Sequence, residues 1–261
     1  MKTNNSNSKS LTILPFPIVL LLLATLIMPI HTTAQIKAFL IHEDQVTPDK
    51  YNDYVSTSKD FKALCEKHNF SESWSVAQMD NGTFLTISAI EKFADLDKNP
   101  MADLAKEVGA DNFQKHFDKF DECYDKHGSY ISLLNEELSY MPEGMNLAQE
   151  GENYRRWIFM ETSARNVDKV KEKIMNIKTL FAKKNSKMYY RIYQNGFGYV
   201  GDRFVVVISA KNALDYEQKS DDNRKLLGEE SRPLFDELYN LLSAHKEISG
   251  RMRPDLGYTK N

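Results

Sequence analysis

The sequence predicts an α+β fold made of two tandem βαββαβ units whose sheets pack on each other. Two observations carry this. Short motifs recur in order at a nearly constant offset, which is the mark of an internal duplication. Gly109 and Gly228 lie 119 residues apart, Ile87-Ser88-Ala89 and Ile208-Ser209-Ala210 lie 121 apart, and Phe117-Asp118 and Phe235-Asp236 lie 118 apart. Asp49-Lys50 with Asp168-Lys169, His127 with His245, and Leu138-Ser139-Tyr140 with Leu256-Gly257-Tyr258 extend the same register. Within each copy, apolar residues switch between the period of a strand and that of a helix in the same order.

Copy one opens on the apolar strand Ala38–His42. Thr47 and Pro48 then suit the cap and first position of a helix. Along it Tyr51, Tyr54, Val55, Phe61, Leu64, Cys65 and His68 recur at helical spacing, and Asn69 ends it. Two β-rich runs follow, Ser73–Met79 and Thr83–Ile90, around Asp80-Asn81-Gly82, a strong hairpin signal. A second helix is expected near Met101–Lys126, and a last strand over Tyr130–Leu134. Copy two repeats the string with strand Arg156–Glu161, helix Val167–Lys184, a hairpin over Lys187–Ala210, a helix near Asp222–His245 and a strand near Ile248–Arg253. Pro142–Asn153 has no apolar period and reads as a linker. Units of this order are ferredoxin-like: four antiparallel strands with both helices on one face. The other face needs a cover, and the tethered neighbour supplies it at high effective concentration. A cavity is expected between the two sheets.

Residues 1–34 read as a secretory signal, with Lys2 and Lys9 in a polar start, an apolar stretch from Leu11 to Ile30, and small residues at Thr32, Thr33 and Ala34. The uninterrupted run Ile18–Met28 is shorter than the ~20 residues a spanning helix needs, so no stable membrane anchor is expected after cleavage. The expected organisation is therefore a signal peptide at 1–34, repeat one at 35–141, a linker at 142–153 and repeat two at 154–261, in a secreted or periplasmic protein. Cleavage removes two lysines and no acid, leaving 32 basic against 37 acidic residues, a balance of −5. Basic and acidic residues are interleaved, which argues against nucleic acid as a partner.

This arrangement resembles the dimeric α+β barrel superfamily, the antibiotic-biosynthesis-monooxygenase-like proteins, over about residues 36 to 258. The ending Arg253-Pro254-Asp255-Leu256-Gly257-Tyr258 looks like the tails of exported bacterial members. The resemblance implies a pseudo-dimeric barrel with a cavity, and cofactor-independent oxygenase chemistry on aromatic substrates as one activity. It also brings haem into view, because haem-degrading members combine a helix histidine with an upstream tryptophan and a strand asparagine. His116 could stand in for the first of these, but no tryptophan stands just upstream of it and no asparagine lies on the first strand, a departure that counts against haem.

His42 lies on the first strand and aligns with Glu161, so the two copies offer different ionisable groups at one expected position facing the cavity. His42 is the candidate general base. Arg191 sits among aromatics in Met188–Tyr193, where a charge on a buried strand must reach an edge or hold an anion. Trp74 and Tyr190, with Trp157, Tyr189 and Tyr193, are candidate walls for a flat ligand or simple core. Arg251 and Arg253 either add positive charge to one mouth or lie on the surface. His68, His127 and His245 are expected at helix ends, where the dipole favours an imidazolium. None of the histidines has the i, i+4 spacing of helical metal motifs, so no metal site is expected. Cys65 and Cys123 are either core thiols or, in an oxidising compartment, a disulfide.

No phosphate-binding loop, nucleophile elbow or zinc-protease helix is present, and no cofactor is called for. The expected function is binding of a small hydrophobic or aromatic molecule between the sheets. The alternative is a cofactor-independent monooxygenase-like enzyme, ahead of a haem-binding protein or a pocketless interaction module. Oligomeric state is left open.

Overall fold

Each apolar or alternating run of the chain becomes a strand with two neighbours. In the computed structural model, which describes residues 37–147 and 149–260, these strands are β1 (Lys37–Val46), β2 (Ser75–Met79), β3 (Thr83–Ile90), β4 (Tyr124–Tyr140), β5 (Tyr154–Thr162), β6 (Tyr190–Asn195), β7 (Asp202–Ala210) and β8 (Leu242–Met252). The described residues all belong to one unit, Ala34–Asn261. The expected signal segment lies outside them, and no described helix is long and apolar enough to cross a membrane.

The strands form one closed antiparallel barrel in the order β1-β3-β2-β8-β5-β7-β6-β4, with β4 returning to β1. The two halves of the chain contribute the same local order, β4-β1-β3-β2 and β8-β5-β7-β6. Their expected closure takes the form of two hydrogen-bonded seams: Ala77–Met79 against Gly250–Met252, and Ser132–Asn135 against Ile192–Asn195. Every sheet edge is thereby paired, which removes the exposed backbone an open sheet would carry.

Among the described residues six α-helices cover the outside: α1 (Tyr51–Lys67), α2 (Pro100–Val108), α3 (Ala110–Asp121), α4 (Val167–Lys183), α5 (Ala213–Leu227) and α6 (Ser231–Tyr239). Proline opens a short 3₁₀ turn, Pro48–Lys50, before α1, but Thr47 makes no side-chain cap bond. The long second helix expected in copy one is two helices, broken at Gly109, whose φ of +86° lies in the left-handed region that favours glycine. The helix expected near Asp222–His245 is likewise not a single helix: α5 ends at Leu227, with Gly228 after it, and α6 follows. Strands β4 and β8 begin earlier than expected, so His127 and His245 sit in strands and not at helix ends; His68 does cap α1.

Period-two alternation divides each strand between two environments. Phe39, Ile41, Met79, Leu85, Leu134, Trp157, Val205 and Val207 pack inside the barrel. The alternate residues Met160, Ile192, Phe204 and Ile208 pack outward under Val170, Ile174, Ile177 and Phe181 of α4. Cys65 and Cys123 are free thiols buried in two clusters, with Phe61, Phe70, Leu104 and Tyr258 and with Tyr54, Phe84 and Leu256 respectively. The core-thiol alternative is the observed one.

Candidate functional site

The barrel encloses a cavity of about 400 Å³, within the range of small-molecule sites. Phe39, Ile41, Leu85, Trp157, Phe159 and Val205 form apolar walls, and Tyr130, Ser132, Tyr193 and Asn195 add polar atoms. Two arginines break the apolar lining. Arg191 on β6 is 2% exposed and Arg155 on β5 is 3% exposed. They come together across β7, because Arg155 pairs with Ser209 and Arg191 with Val207 in the strand register.

The segment expected to be a mere linker holds these charges. Arg191 Nη1 donates to the carbonyls of Asn146 (3.0 Å) and Leu147 (2.9 Å), and its Nη2 donates to Ser209 Oγ. Arg155 Nη1 donates to the carbonyls of Glu152 and of Tyr154 (3.0 Å). Leu147, Gln149 and Asn153 also line the cavity. The segment therefore covers the barrel end at which β1 and β5 begin.

Among the described residues neither guanidinium has a carboxylate as an ion-pair partner, and Arg191 Nε is buried without a hydrogen bond. Burial, and then the neighbouring Arg191 charge, push Arg155 down to about 10; burial likewise lowers Arg191. Glu152, the opposing charge that acts on both, is ion-paired with Lys219 at 2.8 Å and offsets the two guanidiniums only in part. Two like charges out of water without an ion-pair partner are costly, and an entering anion relieves that cost. Arg253, which also lines the cavity, is by contrast neutralised by Asp255 at 2.8 and 2.7 Å and bonded to Gln78.

The other sequence candidates scatter. Trp74 borders the cavity, held by Nε1 donating to the Leu256 carbonyl at 3.2 Å and by its ring on Tyr258. Glu161 lies toward the opposite end of the barrel, accepting from Tyr199 Oη at 3.1 Å, and does not line the cavity. Tyr190 points outward into a separate cavity of about 740 Å³ beneath α4, α5 and α6. His42 also points outward, its side chain 39% exposed, with Nδ1 2.9 Å from Ser129 Oγ and Nε2 3.1 Å from Asp44 Oδ1.

The expected equivalence of His42 and Glu161 is corrected by the barrel. Phe39 and Ile41 face inward together with Trp157 and Phe159, so the strands correspond at an offset of 118 and His42 matches Met160. A one-residue slip moves a strand residue to the other face. His42 is consequently not a base for the interior. Among the described residues no Asp, Glu or His lines the cavity, and its tyrosines Tyr130 and Tyr193 are raised further above their ordinary range by burial. His116, on α3, packs edge-on against Phe61 outside the barrel. Arg155 escaped the sequence reading, although its i, i+2, i+4 spacing with Trp157 and Phe159 places it on the same strand face.

Solved structures share this architecture. An anthrone oxidase-like protein superimposes with a TM-score of 0.59 at 9% identity, over 85% of this chain and 92% of its own. The fold is that of the dimeric α+β barrels. Candidate monooxygenases from Fusobacterium nucleatum and Lactobacillus acidophilus NCFM share it, with TM-scores of 0.51 and 0.50 at 11% and 10% identity. They cover 84% and 87% of this chain and 94% and 97% of their own. No family model and no curated protein matches the sequence. Identities this low establish the barrel and leave its chemistry to the residues inside it.

Proposed function

We propose that this protein is an exported, tandem-duplicated ferredoxin-like barrel that binds a small hydrophobic or aromatic molecule bearing an anionic end. The observation that carries the reading is the pair of buried arginines, Arg155 and Arg191, facing an apolar cavity without a carboxylate of their own. The aromatic walls bury the body of the ligand, and the guanidiniums receive its charged end as charge-assisted hydrogen bonds. A cofactor-independent oxygenase is the second reading. The fold likeness to candidate monooxygenases supports it, and the arginines would suit a phenolate or enolate. Binding stands first because the buried arginine pair supplies an anion subsite, whereas no Asp, Glu or His lines the cavity among the described residues.

The test is titration of the mature protein with 2-naphthoate and with neutral 2-naphthamide, followed by the fluorescence of Trp74 and Trp157, both of which border the cavity. The carboxylate should bind more tightly, and Arg191→Gln should weaken it by about 10- to 100-fold, corresponding to ~1.5–3 kcal/mol for a hydrogen bond to a charged group, while changing the amide little. Equal affinity of the two compounds in wild type would overturn the anion assignment. Oxygen consumption with a bound phenol would move the oxygenase ahead.

A further inference from the structure

Outside the cavity, the paired strands β1 and β4 bring three metal-ligating side chains together. His42 and Asp44 are two apart on β1 and share its outer face. The register sets Ser129 of β4 opposite His42 and His127 opposite Asp44. Directly opposite residues have Cβ atoms about 5 Å apart, so four side chains make a small square on the sheet. One potential ligand atom from each of His42, Asp44 and His127 lies within 4.8 Å of the others.

The carboxylate in this square is unusual. Asp44 is 4% exposed; its Oδ2 accepts from Tyr54 Oη at 2.7 Å, while its Oδ1 is buried without a hydrogen bond. His42 Nε2 approaches that oxygen to 3.1 Å in an ion-pair contact whose geometry misses a hydrogen bond. The surrounding residues fix the two rings. Ser129 Oγ, 2.9 Å from His42 Nδ1, leaves Nε2 directed at Asp44. The Tyr124 ring stacks on His127 at 5.0 Å, and Tyr124 Oη donates to Asp121 Oδ1 at 2.8 Å. Such supporting contacts on the far side of ligand groups are how proteins hold metal sites in shape.

We propose that His42, Asp44 and His127 bind a divalent transition-metal ion, with zinc the best match. Two imidazoles and one carboxylate suit zinc and its neighbours in the series, and three protein ligands leave a fourth position for water on the exposed His127 side. Ligand bonds of about 2.0–2.2 Å require the three groups to draw closer than the 4.8 Å within which their ligand atoms now lie. The ion would sit between His42 Nε2 and Asp44 Oδ1, which already face each other at 3.1 Å, and would be a ligand-bond partner for an oxygen that has no hydrogen bond. The site is independent of the cavity, since its residues point away from it.

The experiment is titration of the mature full-length protein with cobalt(II), read by its visible d–d absorption, followed by zinc competition. One equivalent should bind and zinc should displace it. His127→Ala removes an exposed side chain, so the fold survives, and should weaken binding by at least about 100-fold, as should His42→Ala. His245→Ala, the related strand position of the second half, should leave it unchanged. Absence of a stoichiometric cobalt signal in folded wild-type protein would overturn the site and leave an ordinary His–Asp ion pair. Binding insensitive to both His42→Ala and His127→Ala would overturn it equally.

Discussion

A single side chain in this barrel is governed by which face of its strand it occupies. His42 and Glu161 look equivalent at an offset of 119, yet the interior pattern of Phe39, Ile41, Trp157 and Phe159 runs at 118, and that one-residue difference separates the inward face of a strand from its outward face. Cys65 illustrates a residue whose environment sets its chemistry. Buried among Phe61, Phe70, Leu104 and Tyr258, its thiol is pushed up to about 12 by loss of solvation and by the nearby Glu66 charge. A raised thiol stays protonated, and only the thiolate reacts. At pH 8 the thiolate fraction is then about 10⁻⁴, against roughly a quarter for an ordinary cysteine with a pKa near 8.5. Labelling of Cys65 by a thiol reagent, followed in a Cys123→Ser background, should be slow at pH 8 and rise about tenfold per pH unit up to pH 10. Rapid labelling of folded protein at pH 8 would contradict this burial.

Among the elements, the seams and the helix breaks decide the architecture. At the β2–β8 seam, a Cβ on Gly250 would lie 2.1 Å from the Gln78 carbonyl oxygen and 2.8 Å from Met79 Cα. Both are backbone atoms of the opposing strand and have nowhere to go. Gly250→Ala should therefore lower stability by about 1–3 kcal/mol or more, the range for overpacking, measured as a fall in the urea midpoint. An unchanged midpoint would mean the two halves are not held this closely. Hairpin β2–β3 was legible because Asn81-Gly82 punctuates two strong β runs. The reach of β4 was not. Asp125, Lys126 and Gly128 carry no strand preference, and only pairing with β1 extends the strand to them. That extension is what sets His127 opposite Asp44.

The strands of the described residues form one closed ladder, so neither half of it can lose its sheet without exposing two edges of the other. Unfolding is expected to be a single cooperative transition. The two tryptophans make this measurable, because Trp74 lies in the first half and Trp157 in the second. In Trp74→Phe and Trp157→Phe variants, the fluorescence of the remaining tryptophan and the far-ultraviolet circular dichroism should give the same denaturant midpoint. Two separated midpoints would show that the halves melt independently. The tail strengthens the expectation: Trp74 bridges Tyr258 through backbone hydrogen bonds at 2.9 Å, so the end of the chain closes over the first half.

By itself, the sequence determined the α+β class, the doubled order of strands and helices, and the presence of an arginine among buried aromatics. These follow from periodicity and turn chemistry, which act over neighbouring residues. Tertiary structure alone decided that the sheets join edge to edge, that Arg155 meets Arg191 beneath the linker carbonyls, and that His42 meets Asp44 and His127 on the outside. Those meetings depend on register between strands far apart in the chain. A shift of one residue reverses the face on which a side chain stands, and local spacing is too coarse to resolve it.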